Sequence, residues 1–126
     1  MERIKIIFKT KEVLGGIELF KDSKTVQAIY NKLPIESKVN IWGEELYFKI
    51  PIHLEPEDTT LDVNVLDVAY WPEGDCMCIF LGRTPISDTD KPKPASEVEI
   101  IGEVLVDKSI LNKIKQNEKI VLIKAL

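Results

Sequence analysis

The stretch from Ser37 to Ile50 limits the possible folds most strongly, because its side-chain pattern sets a hairpin and its register together. Gly43-Glu44 fits a two-residue type II′ turn, whose first central position needs the positive φ that glycine adopts freely. That turn sets Ile41 opposite Leu46 and Val39 opposite Phe48, so one face is wholly apolar and is the expected core side. The other face carries Asn40 opposite Tyr47 and Trp42 opposite Glu45. A closed core does not use such a mixture of aromatic and polar groups. Pro51 lacks a ladder donor and ends the pair.

Similar punctuation runs along the chain. Arg3–Lys9 and Ile17–Phe20 read as strands joined by a turn over 11–16, where Gly15-Gly16 would supply free φ values. Val26, Ile29, Tyr30 and Leu33 fall on one helical face. Ser23 or Thr25 is placed to cap that helix and Pro34 to stop it. It is only about ten residues long and must pack on something to persist. The acidic stretch 54–61 reads as a loop, Val63–Trp71 as a strand, and Pro72-Glu73-Gly74-Asp75 as a turn. Cys76–Leu81 is apolar on both faces and is expected to be central in its sheet. Residues 82–96 hold Pro85, Pro92 and Pro94 and read as a long exposed loop, a kind often used for function.

Val98–Val106 reads as a further strand, with Gly102 as a bulge or close-packing point. Asp107 is placed to cap a short helix that turns Ile110, Leu111 and Ile114 inward, and Lys119–Leu126 reads as the last strand. The pattern predicts a mainly β chain of about eight strands and two short helices, a sandwich or a barrel. Closure into an antiparallel barrel removes exposed edges, and short helices suit its open ends.

A length of 126 residues fits one domain, 1–126, large enough to bury roughly two thirds of its unfolded surface. The net charge of −4 has no basic patch behind it, which argues against nucleic acid as a partner. No long apolar run interrupts the chain and no signal peptide precedes the first strand, so neither a membrane partner nor export is expected. A reducing, cytoplasmic setting is the default. Cys76 and Cys78 lie two apart in a strand, a spacing poor for a disulfide, and read as small core residues. With a single histidine they cannot complete a tetrahedral metal site, so neither metal nor cofactor is expected.

Three stretches resemble an uncharacterised cyclophilin-like family of archaea and bacteria. The first is Val39-Asn40-Ile41-Trp42-Gly43-Glu44-Glu45-Leu46-Tyr47-Phe48, followed by Pro51. The second is Asp67-Val68-Ala69-Tyr70-Trp71-Pro72 with Gly74, running on to Cys78-Ile79-Phe80 and Gly82. The third is Thr84-Pro85-Ile86-Ser87-Asp88, with Pro94-Ala95-Ser96 and Ile101-Gly102 downstream. The resemblance implies a closed cyclophilin-like β-barrel with two short capping helices. One departure is Leu66, where such relatives often place glycine; leucine there disfavours a tight turn before the strand.

True cyclophilins, which this chain resembles in fold, use an arginine to donate to the prolyl nitrogen as the amide loses conjugation. Their Phe-His-Arg string is replaced here by Trp42-Gly43-Glu44-Glu45, and the only arginines are Arg3 and Arg83. Losing one such donor costs about 10²–10³ in rate. No catalytic residue is assigned. His53 lacks an evident partner, and Glu44 and Glu45, adjacent in sequence, diverge from a strand.

The candidate binding residues are Asn40, Trp42, Glu45, Tyr47, Tyr70, Trp71, Phe80 and Arg83, an aromatic groove with one carboxylate and one guanidinium. It would take a peptide or a small molecule, an anionic one if Arg83 anchors it. Which of Tyr70 and Trp71 faces inward stays open, as does the oligomeric state. The expected function is a non-catalytic binding module; the alternative is a weak or atypical prolyl isomerase. A structural subunit of a larger amide-processing assembly is a third possibility implied by the resemblance.

Overall fold

The structure, a computed structural model, describes residues 2–126. Among these, nine strands form one sheet: β1 (Arg3–Lys9), β2 (Leu14–Phe20), β3 (Ile35–Lys38), β4 (Asn40–Trp42), β5 (Glu45–Lys49), β6 (Asp67–Trp71), β7 (Cys76–Phe80), β8 (Glu99–Val104) and β9 (Lys119–Lys124). Every pairing is antiparallel, in the spatial order β3-β9-β1-β2-β8-β6-β7-β5-β4. The two ends of this order are consecutive in the chain. At Val39 the chain hands over from β9 to β5, and the backbone there is held by Asn117 N–H to the Val39 carbonyl at 2.8 Å and Val39 N–H to the Glu118 carbonyl at 2.9 Å. The result is a nearly closed barrel, with the strand expected over 37–42 split in two.

The interior is built from alternate strand residues, including Ile6, Phe8, Ile17, Leu19, Phe48, Val68, Met77, Ile79 and Leu122, all fully buried. Helix α1 (Lys24–Lys32) adds Val26 and Ile29 to this core, and the Ser23 hydroxyl caps it by accepting from Val26 N–H at 3.2 Å. Helix α2 (Lys108–Leu111) adds Leu111. Asp107 occupies its N-cap position without a side-chain hydrogen bond, and Ile110, expected inside, is 37% exposed because the helix is a single turn.

The central hairpin has the register read from its sequence: Asn40 opposite Tyr47, Ile41 opposite Leu46, Trp42 opposite Glu45, with Gly43 at φ 61°. Ile41 differs from expectation in being exposed, since β4 lies at the end of the strand order, whereas Val39, Leu46 and Phe48 are buried. Gly15 and Gly16 lie inside β2 rather than in a turn. A Cβ on Gly15 would fall 2.6 Å from the Phe8 ring, so packing demands the glycine. Gly102 likewise lets β8 approach β2, where a Cβ would stand 2.0 Å from the Glu18 carbonyl oxygen.

The strand expected from Val63 begins only at Asp67. A tight turn precedes it, closed by Asp67 N–H to the Asn64 carbonyl at 3.1 Å and by the Asp67 carboxylate accepting from Asn64 N–H at 2.8 Å. The turn that leucine was expected to disfavour therefore forms, with Leu66 itself at φ 74° in the left-handed region. In the next turn Asp75, not Gly74, takes the positive φ; Gly74 is needed because the Trp71 ring lies against it.

Candidate functional site

Strands β5, β6 and β7 are covered on both faces. Their inward side chains enter the barrel core, and their outward ones form a second, smaller cluster of Val63, Ala69, Cys78, Phe80 and Val98, with Tyr47, Trp71 and Ile100 against it. What covers this outer face is the segment 82–98, expected to be an exposed loop but folded back over the sheet with Thr84, Pro92 and Pro94 buried.

Local bonds explain why the loop returns. At its root, Glu44 N–H donates to the Arg83 carbonyl and Leu81 N–H to the Glu44 carbonyl, both at 2.8 Å. Gly43 leaves room for Pro85, which a Cβ would meet at 2.8 Å. In its middle the Thr84 hydroxyl donates to the Lys93 carbonyl at 2.6 Å, closing the loop on itself. At its far end Val98 pairs with Thr60, and Trp71 Nε1–H donates to Ser96 Oγ at 2.6 Å, whose hydroxyl donates on to Glu73 at 2.7 Å.

Between this roof and the sheet lies a pocket of about 130 Å³, walled by Trp42, Tyr47, Trp71 and Cys78 below and Pro94, Ala95 and Val98 above, with Glu45 among its walls. Tyr47 and Trp71 meet edge to face, ring centroids 6.3 Å apart at 86°. Glu45 is 5% exposed, and its Oε1 has no hydrogen-bond partner. Burial pushes this carboxyl up to about 7, against the weaker pull of the Cys78 thiol on the adjacent strand. A buried carboxylate with an oxygen lacking a partner is costly, so the neutral form is favoured relative to an exposed glutamate. Cys78 in turn is pushed well above its ordinary value by burial and by Glu45.

Four of the residues singled out from sequence thus share one pocket: Trp42, Glu45, Tyr47 and Trp71. Four do not line it. Tyr70 is the inward member of its pair, fully buried in the barrel core. Phe80 is buried within the outer cluster, away from the pocket's walls. Asn40 accepts from the Gln116 side chain at 3.1 Å beside the pocket. Arg83 is exposed and bends into its own loop, donating to the Ser87 carbonyl at 3.3 Å, so the expected guanidinium anchor is not among the pocket's walls. Cys78, Pro94, Ala95 and Val98 were not anticipated. Cys78 stands opposite Tyr47 in the β5–β7 pairing, a register that no local turn sets, and no signal in 94–98 announces a roof.

Two other clusters lie apart from this pocket. His53, read as partnerless, has Nδ1 2.7 Å from Asp75 Oδ1, and Asp75 also accepts from the Tyr70 hydroxyl at 3.2 Å. The Asp75 carboxylate raises the His53 pKa. The nearby Cys76 thiol donates to the Gly74 carbonyl and is pushed up to about 11 by burial, so it is no nucleophile. The trio pins the 72–75 turn. A wider depression of about 480 Å³ at the start of α1 is lined by Asp22, Glu55, Glu57, Asp58 and Glu99, but Glu99 is already engaged by Ser23 and Thr25. Glu44 is drawn away from Glu45 by Lys108 at 2.8 Å. Among the described residues no group of three metal-ligating side chains converges, and no helix is long and apolar enough to cross a membrane.

Comparison with known proteins agrees with this architecture. A family model described as cyclophilin-like matches residues 2–123. The solution structure of a hypothetical protein from Archaeoglobus fulgidus superposes with a TM-score of 0.82 at 35% identity, covering 98% of this chain and 95% of that one. No curated protein matches.

Proposed function

The chain belongs to the cyclophilin-like family, and from that footing we propose that it is a non-catalytic binding module whose site is the roofed pocket on the outer face of β5–β7. The observation that carries this is the meeting of three aromatic walls and one buried carboxyl, whose Oε1 has no hydrogen-bond partner, under a loop held at both ends. Natural interiors rarely leave a buried polar atom without a partner, and such an atom calls for an explanation. A ligand that supplies the partner is the simplest one.

The pocket's size narrows the visitor. An apolar cavity of roughly 150 Å³ holds one benzene, so about 130 Å³ suits a small molecule or one side chain of a peptide, not an extended backbone. No observation favours the isomerase alternative. Its electrostatic step needs a preorganised donor, and Arg83 is turned into its own loop. We place the module in the cytoplasm, a setting that the two free thiols support.

The test is a chemical-shift titration of the whole chain with separate sets of small cationic, neutral and anionic organic compounds. Shifts are expected at the Trp42 and Trp71 indoles and the Tyr47 ring with at least one set. Silence of all three rings toward every set would overturn the proposal. Exchange of a proline peptide is expected to stay at the uncatalysed rate, and acceleration would overturn the non-catalytic part.

A further inference from the structure

We propose that the pocket selects a small organic ammonium cation, held by the Glu45 carboxylate and the aromatic walls Trp42, Tyr47 and Trp71. This rests on the binding reading above and adds the sign of the ligand's charge, which is opposite to the one an Arg83 anchor would favour.

The charge inventory around the pocket carries the inference. The nearby cations of the loop and of α2 are engaged elsewhere: Arg83 on the Ser87 carbonyl, Lys93 on Asp88, Lys108 on Glu44. None of them lines the pocket, whose one carboxyl has Oε1 unpartnered. Aromatic rings present electron-rich faces that attract cations, and an alkylammonium is the cation that also gains from apolar walls. A neutral guest can offer a hydrogen bond but no opposite charge, and an anion would be repelled if the carboxyl ionised. A cation alone supplies positive charge beside Glu45, and in doing so it makes the ionised form the stable one.

Binding is therefore linked to proton release from Glu45. The other titratable groups facing that carboxyl are the Tyr47 phenol on its own strand and the thiols of Cys78 and Cys76 on β7. Both thiols are held above their ordinary range. The roof residues Pro94, Ala95 and Val98, and the walls Trp42 and Trp71, do not titrate. Glu44 is held below the usual carboxylate range by Lys108 and stays ionised. Between about pH 6 and about pH 8 the Glu45 carboxyl is the pocket group that changes charge.

The experiment compares choline with 3,3-dimethylbutan-1-ol, its neutral carbon isostere, by titrating each into the whole chain and following the tryptophan indole signals. Choline is expected to bind at least about tenfold more tightly than the isostere. Its affinity should rise by about tenfold from about pH 6 to about pH 8 as Glu45 gives up its proton. Glu45→Gln is expected to lower choline affinity by at least about tenfold and so erase the preference for choline over the isostere. The pH series on the unaltered chain decides the matter if that variant does not fold. Equal binding of the two compounds, a preference that survives Glu45→Gln, or an affinity flat in pH would overturn the cation claim while leaving a pocket that binds. Binding of neither overturns it too; a response to the anionic or other neutral set would then keep the binding reading, and none at all would remove both.

Discussion

The two faces of the sheet under β5, β6 and β7 are packed by different rules. Inside the barrel these three strands contribute buried apolar side chains, and the Tyr70 hydroxyl is satisfied by donating to Asp75 and accepting from Leu54 N–H at 3.4 Å. Outside, under the 82–98 roof, the same strands leave a carboxyl with a bare oxygen and about 130 Å³ of space beside it. Cys78 occupies the outer face where Met77 and Ile79 fill the inner one. The interior is organised for stability. The outer face keeps a group that costs stability, and such violations of packing consistency are expected at functional sites.

The contrast breaks first where it is largest. Phe48→Ala empties a fully buried interior position and is expected to cost about 3–5 kcal/mol in denaturant unfolding. Trp42→Ala, at the pocket's half-exposed wall, should cost far less. Similar losses at both sites would erase the distinction between interior and pocket.

Glu45 comes next, and its effect has a sign. Its folded pKa of about 7 lies above that of an unfolded glutamate, so the folded state binds the extra proton. Stability is therefore greatest below about pH 4.3 as far as this group is concerned, and falls as pH rises to about 7, by up to roughly 3 kcal/mol. Glu45→Gln should remove most of that slope, so the variant gains on the parent chain as pH rises. Unfolding curves at several pH values check this, and parallel pH profiles would contradict it.

These contrasts were partly legible in the sequence. The 39–48 register was readable because a glycine turn and strict alternation define it locally, and with it the shared face of Glu45 and Tyr47. The split at Val39 was not, because it follows from closure against β9, some eighty residues away in the chain. Tyr70 and Trp71 could not be sorted because β6 is covered on both faces and lacks polar contrast. Leu66 hid its turn because its left-handed φ is imposed by the Asn64–Asp67 bonds and packing against the core rather than by its own preference. Arg83 was misplaced because backbone acceptors within its loop, invisible in composition, claim its guanidinium.

Smaller effects sharpen the picture of the roof and the turn. Ser96→Ala leaves the Trp71 indole N–H without its acceptor, a loss of about 1 kcal/mol that should also speed amide exchange over 94–98. Exchange rates unchanged there would mean that the roof is held by packing alone. His53 contributes least, because it is exposed. Its pKa is raised by Asp75, so its support of the 72–75 turn is complete below about pH 6.5 and lost as pH climbs through the raised value. The difference in unfolding midpoint between the parent chain and His53→Ala should narrow from about pH 6 to about pH 8.

The most direct measurement is a carbon-detected NMR titration of the Glu45 side-chain carboxyl in the ligand-free chain. A buried pocket acid with one unpartnered oxygen is expected to titrate near 7, and added choline to move the midpoint downward. A midpoint in the ordinary glutamate range of about 4.3, unmoved by choline, would mean that water already solvates this oxygen and that the pocket holds nothing in waiting.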